Sequence, residues 1–406
     1  MEMECLCTDV VMLRYGELFL KSEPVKRRYL GFLRQHINAV LHAQGVSFVL
    51  QEFRGRILVH VAKEQIQATC DALSKVFGVV SISPALKTTH DIDDIKKTAI
   101  LCAKKKLHPH MTFAVRARRD GVSTYTSQSL AADVGSAIYE AVPHLKVNLD
   151  NPEYEIFIES RKDGALVYDE RMSGPGGLPL GTQGRVVALL SAGIDSPVAS
   201  WLMMKRGVVP YFLHINTGTY GGEAIEACTV QNVSSLSIWS GSVPLTLETI
   251  FAQRFFDYIT SKPNLYRYRC VLCKRFMLQC ARAVACEQEA AGVAMGDNIG
   301  QVASQTIDNL YTLTSGFDYP IFRPLLTYDK EEIITIARKI GTFIEAPGDT
   351  SCAAVPKKPS IAAPKKTIDH LVQEHSLDSF VSDALTQRRI IKLQNGHQIG
   401  ENEKSF

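Results

Sequence analysis

The chain has 406 residues, 45 of them basic and 42 acidic, for a formal net charge of +3. That length houses two or three domains, and the near balance of charge excludes binding of nucleic acid by a global positive field, so an RNA surface must be a local patch. No stretch is long and apolar enough to span a bilayer, the acidic start MEMECLCTDV is not a secretory signal, and ten scattered cysteines form no disulfide framework; the expected compartment is the cytoplasm.

In chain order, DVVMLRYGELFLKSEPVKRRYLGFLRQHINAVL predicts a strand, a turn and an amphipathic helix, and SFVLQEFRGRILVHV a strand pair. From Lys63 the pattern becomes helix (QIQATCDALSKVFG), strand (VVSISPALKT) and helix (IDDIKKTAILCAKKK). The strand MTFAVRARR and the helix SLAADVGSAIYEAV come next, and EYEIFIESRKDGALVYDERM predicts a hairpin turning at Asp163-Gly164. Two small α/β units are expected, divided near residue 62. Basic runs occur at Ala103–Leu107 and Ala114–Asp120, where the ordinary alternative is a solvated face. In the second run, Arg116 and Arg118 alternate onto one side of a strand and Arg119 enters the following turn, which suits phosphate contact.

Ser173–Arg185, SGPGGLPLGTQGR, cannot propagate a helix or a strand and is expected to be a linker. It carries neither a Walker A sequence nor a G-x-G-x-x-G fingerprint. Beyond it, RVVALLS has the apolar continuity of a buried parallel strand. DSPVASWLMMKRG is helical with a stop at Gly207, and VVPYFLHIN is the next strand. Strand–helix alternation to about Arg338 predicts a doubly wound parallel sheet. KTIDHLVQEHSLDSFVSDAL reads as an amphipathic helix or helix pair.

SAGIDS, residues 191–196, joins the first buried strand of this half to its helix. A loop of small residues there turns backbone N–H groups toward an anion, and the helix N-terminus adds partial positive charge. Ser191 and Ser196 can donate to phosphate oxygens. Asp195 repels them unless Mg²⁺ lies between. The plain alternative is a capped strand-to-helix turn.

The loop resembles the S-G-G-x-D-S loop of PP-loop pyrophosphatases, departing at Ala192, where alanine fits if its φ is negative. Four blocks in order, LRYGELFLKS (13–22), LKVNLDNPEYEIFIE (145–159), GPGGLPLGTQGRVVALLSAGIDSPVA (174–199) and GDNIGQVASQT (296–306), resemble the tRNA 4-thiouridine synthetases, the ThiI family. The resemblance implies an N-terminal ferredoxin-like domain (1–62), a THUMP RNA-binding domain (63–172), a Gly/Pro linker (173–185) and a PP-loop domain (186–406). Longer members carry a C-terminal rhodanese domain, for which no room is expected here.

The same resemblance implies an ATP-dependent tRNA sulfurtransferase that adenylates O4 of uridine 8 and replaces it with sulfur. It places ATP at Leu189, Leu190, Ser191, Gly193, Ser196, His214, Lys274, Gly296 and Gln305, the last on the following helix, with Asp195 and Lys274 in the chemistry. It gives Cys352 the sulfur-handling role and Arg116, Arg118 and Arg119 to tRNA. Cys270 and Cys273 share one helical face; with Cys352 they could ligate an iron–sulfur cluster. A redox disulfide, half a zinc site and plain core cysteines stay open for that pair. A cysteine desulfurase or free sulfide is the expected donor, a homodimer the expected assembly, and the thiamine sulfur-carrier protein a second acceptor in some members. The alternatives are another PP-loop tRNA thiolase, such as one making 2-thiocytidine, and a non-catalytic tRNA-binding protein, for which Ala192 is the argument.

Overall fold

The computed structural model describes residues 8–53, 55–122, 124–221, 223–344 and 352–405. The N-terminal Met1–Cys7 and the stretch Asp349–Ser351 just before Cys352 lie outside the described residues. The chain falls into two compact units, 1–26 with 37–176, and 27–36 with 177–406.

The first unit is built on one nine-stranded sheet. In chain order come β1 (Thr8–Tyr15), α1 (Glu23–Ala43), whose residues 27–36 belong to the second unit, β2 (Phe48–Phe53), β3 (Arg56–Val61), α2 (Ile66–Leu73) and β4 (Val79–Thr88). There follow α3 (Ile92–Ala103), β5 (Thr112–Asp120), α4 (Ser127–Ala141), β6 (Lys146–Val147), β7 (Tyr154–Arg161), β8 (Gly164–Tyr168) and β9 (Met172–Ser173). The sheet order is β2-β3-β1-β4-β8-β7-β5-β6, with β9 added to β4. The two expected α/β units thus share a sheet, and the division expected at residue 62 moves. α2 packs on β1 and β4, so the β-α-β-β-α-β unit closes only with β4. That strand pairs with β1 along Val79–Lys87, and its last residues, Leu86–Thr88, also pair with β8.

Local chemistry sets the helices of the second half of this sheet. Asp91 caps α3 by accepting from the N–H groups of Asp93 and Asp94, and Thr126 with Ser129 forms a capping box on α4. Their apolar stripes, Ile95 and Ala99 on α3 and Leu130, Val134 and Ile138 on α4, bury against Ile156 and Ile158 of β7. Each such Leu or Ile contributes about 1.5–3 kcal/mol by leaving water.

The second unit runs β10 (Arg185–Leu189), α5 (Asp195–Lys205), β11 (Val209–Asn216), α6 (Glu223–Ser237), β12 (Leu245–Phe251), α7 (Gln253–Ser261) and α8 (Arg269–Glu287). It continues with β13 (Val293–Ala294), α9 (Ile307–Thr314), β14 (Ile321–Phe322), α10 (Lys330–Ile340), α11 (Lys365–Glu374), α12 (Ser379–Ala384), β15 (Gln387–Gln394) and β16 (His397–Ser405). The sheet order is β14-β13-β10-β11-β12-β15-β16. The first five strands are parallel, as expected of a doubly wound sheet. The last two form an antiparallel hairpin on β12 that the sequence reading did not contain. Its signal was Asn395-Gly396, both at positive φ, the dipeptide a tight hairpin prefers. The charged run QRRIIKLQ hid the strand: Arg388 is buried there because Glu248 and Glu287 receive its guanidinium.

The segment Ser173–Arg185 contains the break between the two units, at Gly176–Gly177, and is hydrogen-bonded on each side of it. Within the first unit, Gly174 and Gly176 donate to the carbonyls of Val80 and Val79 at 2.9 and 2.8 Å. Within the second, Leu178 N donates to Lys205 O and Gln183 N to Gly207 O, both at 3.0 Å. Gly177 has φ +73°, and a Cβ there would sit 1.9 Å from the Lys205 carbonyl, so that close approach requires glycine.

Candidate active site and nucleic-acid interface

Between β10 and α5, Ser196 organises the loop. Its hydroxyl accepts from Ser191 N at 2.9 Å and lies 3.1 Å from Ser191 Oγ. α5 begins without a side-chain cap, so its first-turn N–H groups remain available to an anion. Ala192 is not among the residues at positive φ, so its methyl group is accommodated. Gly296, after β13, passes so close to α5 that a Cβ would lie 2.7 Å from Ser196 N and 2.8 Å from Ser196 Cα. Glycine at 296 thus shapes the loop from behind.

A cavity of about 410 Å³ opens at this loop, at the carboxyl ends of the parallel strands. Leu189, Leu190, Ser191, Gly193, Asp195 and Ser196 line one side. His214, Lys274, Gly296, Gln305 and Cys352 line other parts of its wall. Cys270 and Cys273 are not in its wall. His214 is 3% exposed, and its Nδ1 lies 3.0 Å from Leu190 O. Burial lowers its pKa, so the ring is neutral; the Nδ1–H tautomer donates to that carbonyl and leaves Nε2 as an acceptor.

Three residues of the site escaped the sequence reading as functional groups. Asp297, 2% exposed, receives Lys274 Nζ at 2.5 Å and Gln305 Nε2 at 3.3 Å on one oxygen, and Arg323 Nε at 3.0 Å on the other. Burial pushes its carboxyl upward, but the adjacent Lys274 and Arg323 outweigh that and hold it below the usual aspartate value. Lys330 is the third. It bonds Asp195 Oδ1 at 2.8 Å, while Gln301 donates to Oδ2 at 3.0 Å. Asp297 stands inside a quoted motif and could have been found there; Arg323 and Lys330 carried no local signal. Gln305 closes a 3-10 turn, Ala303–Gln305, rather than standing on the expected helix, because Thr306 caps α9 after it.

Cys270 and Cys273 lie in the first turns of α8, and burial pushes both thiols up. Cys273 and Cys352 both pack against the apolar core of this unit. Among the described residues, however, no three His, Cys, Asp or Glu side chains converge closely enough to hold a metal ion. None of the eight described cysteines is in a disulfide, so the redox pairing of Cys270 with Cys273 is not formed.

On the first unit, Arg116 and Arg118 line one cavity of about 410 Å³ together with Arg171, Phe157 and Tyr168. Arg116 is also held by Glu155 at 2.8 Å and by Leu149 O at 2.6 Å. Arg119 is taken by the Val122 carbonyl at 2.5 Å and lies outside that wall, so the expected trio separates into two and one. Arg171, stacked 4.0 Å over the Phe157 ring, is the third cation of the cavity and was not anticipated.

Three family models match successive parts of the chain: a ThiI ferredoxin-like domain over residues 10–83, a THUMP domain over 89–170, and the thiamine biosynthesis protein ThiI over 181–377. A probable tRNA sulfurtransferase of Methanosarcina mazei is 38% identical over 395 residues, covering 95% of this chain and 96% of that one. One of Thermococcus kodakarensis is 38% identical over 362 residues, covering 87% and 93%. Among solved structures, a 4-thiouridine synthetase–RNA complex with bound ATP superposes with a TM-score of 0.84 at 29% identity, over 95% of this chain and 100% of that one.

Proposed function

The chain belongs to the tRNA sulfurtransferase family, and from that premise we propose that it is an ATP-dependent enzyme converting uridine 8 of tRNA to 4-thiouridine. The observation that carries the proposal is one cavity walled by an anion-binding loop, a lysine and a cysteine. The solved 4-thiouridine synthetase with RNA and ATP supports both substrates.

The chemistry follows from a leaving-group problem. Uracil O4 attacks the α-phosphate of ATP and pyrophosphate departs. A sulfur nucleophile then attacks C4, and AMP leaves carrying the former O4. The loop N–H groups, Ser191, Ser196 and the α5 N-terminus bind the departing phosphates. Lys274, held by Asp297, presents its charge to them. Neutral His214 and the strand ends Leu189 and Leu190 form the wall for the nucleotide, with Gly296 and Gln305 opposite. Asp195, a hard oxygen donor beside the loop, is the residue that would hold Mg²⁺, which neutralises phosphate charge. Cys352 handles the sulfur, either as a persulfide received from a desulfurase, whose outer sulfur attacks C4 and is then freed when an external thiol cleaves the resulting disulfide, or beside free sulfide, which attacks C4 directly. The uridine must turn out of its tertiary contacts to reach C4 attack geometry, while Arg116, Arg118 and, farther along β5 rather than in the expected turn, Arg119 meet tRNA phosphates.

The proposal extends to a cysteine desulfurase or sulfide as donor, homodimeric assembly, a cytoplasmic location and a second use of the sulfur for thiamine thiazole synthesis. Among the described residues no helix is long and apolar enough to cross a membrane. Cys270, Cys273 and Cys352 are proposed as ligands of an iron–sulfur cluster, which requires them to close in from their present positions. Anaerobic reconstitution followed by absorption spectroscopy tests that point alone.

The test of the function is expression in a bacterial strain unable to make 4-thiouridine, with that nucleoside measured by mass spectrometry in digested tRNA. Wild type restores it and Cys352→Ala does not. Its absence with purified wild type, ATP, tRNA and sulfide as well would refute the proposal.

A further inference from the structure

The loop between β11 and α6 touches both halves of the proposed chemistry. Thr217 lines the nucleotide cavity. Three residues on, the Tyr220 carbonyl accepts from the N–H of Ala353 at 3.0 Å, and Ala353 directly follows Cys352.

This loop is fastened from several directions. Asn216 Oδ1 accepts from Gly218 N at 2.8 Å, and Gln253 Oε1 from Thr219 N at 2.7 Å. Gln253 Nε2 donates to Thr219 Oγ1 at 3.2 Å and to Asp257 Oδ1 at 2.7 Å. The Tyr220 hydroxyl donates to Asp257 at 3.2 Å and meets Thr260 Oγ1 at 2.7 Å, and its ring packs 5.8 Å from that of Phe256. Gly218 has φ +60°, and a Cβ there would fall 1.7 Å from Gln253 Oε1. The Asn216 amide donates to Glu226 at 2.8 Å, and Arg389 of the C-terminal hairpin grips the other oxygen of Glu226. Beyond Cys352 the chain is tied again, Lys357 N to the Tyr266 hydroxyl and Ser360 N to Arg267 O, both at 2.8 Å.

We propose that Tyr220 is a positioning residue that seats the Cys352 segment at the nucleotide cavity and thereby governs sulfur delivery, not adenylation. This rests on the function proposed above. The contact between Tyr220 and the sulfur segment is made by backbone, so the side chain acts by fixing where that carbonyl stands. A reacting group displaced by about 1 Å loses on the order of a hundredfold in rate. Adenylation draws its phosphate-binding groups from β10, α5, α8 and the Gly296 turn, and His214 of β11, which walls the nucleotide, is held by Leu190 rather than by the Tyr220 carbonyl, so that step does not pass through this contact.

The test compares Tyr220→Ala, Tyr220→Phe and Gln253→Ala with wild type in the full-length protein, with tRNA, ATP and sulfide. Three quantities are measured: tRNA-dependent pyrophosphate release, 4-thiouridine per tRNA, and the rate at which iodoacetamide alkylates Cys352. Tyr220→Ala and Gln253→Ala keep pyrophosphate release within about twofold, lose about tenfold or more of 4-thiouridine formation, and change the alkylation rate. Tyr220→Phe, which keeps the ring, stands between them and wild type. Equal loss of both activities, or intact thiolation in Gln253→Ala and Tyr220→Ala, overturns the proposal. Wild type that releases no pyrophosphate with tRNA would instead overturn the function on which it rests.

Discussion

Lys330 Nζ lies 2.8 Å from Asp195 Oδ1, joining the first residue of α10 to the first residue of α5. The one carboxylate of the 191–196 loop is thus countered by a cation from 135 residues away. Without that partner, and until a cation such as Mg²⁺ is held there, Asp195 would present uncompensated negative charge to phosphates.

Lys330→Met therefore lowers tRNA-dependent pyrophosphate release by about tenfold or more, the scale of losing one well-placed charge. The pair is partly exposed, with side chains 45% and 23% accessible, so folding stability changes by about 1 kcal/mol or less. Pyrophosphate release and a thermal melt, measured together, check this. Unchanged release would reduce the pair to a surface contact.

Asp297→Asn acts through stability as well as the site. It leaves Lys274 and Arg323 buried against a neutral amide, and breaking such a buried arrangement costs about 3–5 kcal/mol. The folded-state pKa of Asp297 lies below its ordinary 3.8, so its stabilising contribution is fully present above that value and is lost as pH falls through the folded pKa. Urea unfolding should show a gap between wild type and variant that is constant from about pH 5 to pH 7 and closes only below about pH 4. A gap that closes already near neutrality would mean another group is responsible.

Gly296→Ala forces a methyl group to within 3 Å of the α5 backbone at Asp195 and Ser196. Backbone has little room to yield, so the variant is destabilised by about 1–3 kcal/mol and the loop opens. ATP affinity measured by calorimetry falls with it; undiminished affinity would show that the loop shape tolerates displacement.

Alkylation by iodoacetamide separates the cysteines in the metal-free protein. Cys286 is exposed and Cys352 partly exposed, whereas Cys280 is buried and burial pushes the thiols of Cys270 and Cys273 up. Peptide mass spectrometry at pH 8 should find Cys286 and Cys352 modified before Cys270, Cys273 and Cys280. Modification of Cys273 ahead of Cys352 would contradict this packing.

Arg388→Met probes the C-terminal hairpin. Glu248 is 1% exposed and would keep only the Tyr211 hydroxyl, at 2.6 Å, as a partner. A loss of about 3–5 kcal/mol in denaturant unfolding is expected for a buried carboxylate deprived of its cation. A neutral result would show that the hairpin is held by strand pairing alone.

Where signals are contiguous, sequence and structure agree closely. VVSISPALKT is a strand over the whole Val79–Thr88, and the helix that stops at Gly207 does so with that glycine at φ +84°. The parallel strands were legible because their apolar runs are continuous, as in Val186–Leu189. The hairpin at β15 and β16 was not, because its inward Arg388 breaks the alternation a half-buried strand shows. The division at residue 62 failed for a related reason: nothing local says that β4 pairs with strands on both sides.

Taken alone, the order of residues determined the 191–196 loop, its small side chains, the strand before it and the helix after it, since all of these are set by neighbours along the chain. Family resemblance across separated blocks added which residues to gather. Only tertiary structure decided that Asp297 holds Lys274 and Arg323, that Lys330 meets Asp195, and that Tyr220 carries the segment of Cys352. Such contacts depend on sheet order and on how helices dock across the strand ends. Ion pairs and backbone hydrogen bonds between distant residues leave no periodicity in a sequence, so the arrangement that gives the site its charge balance is visible only when the chain is folded.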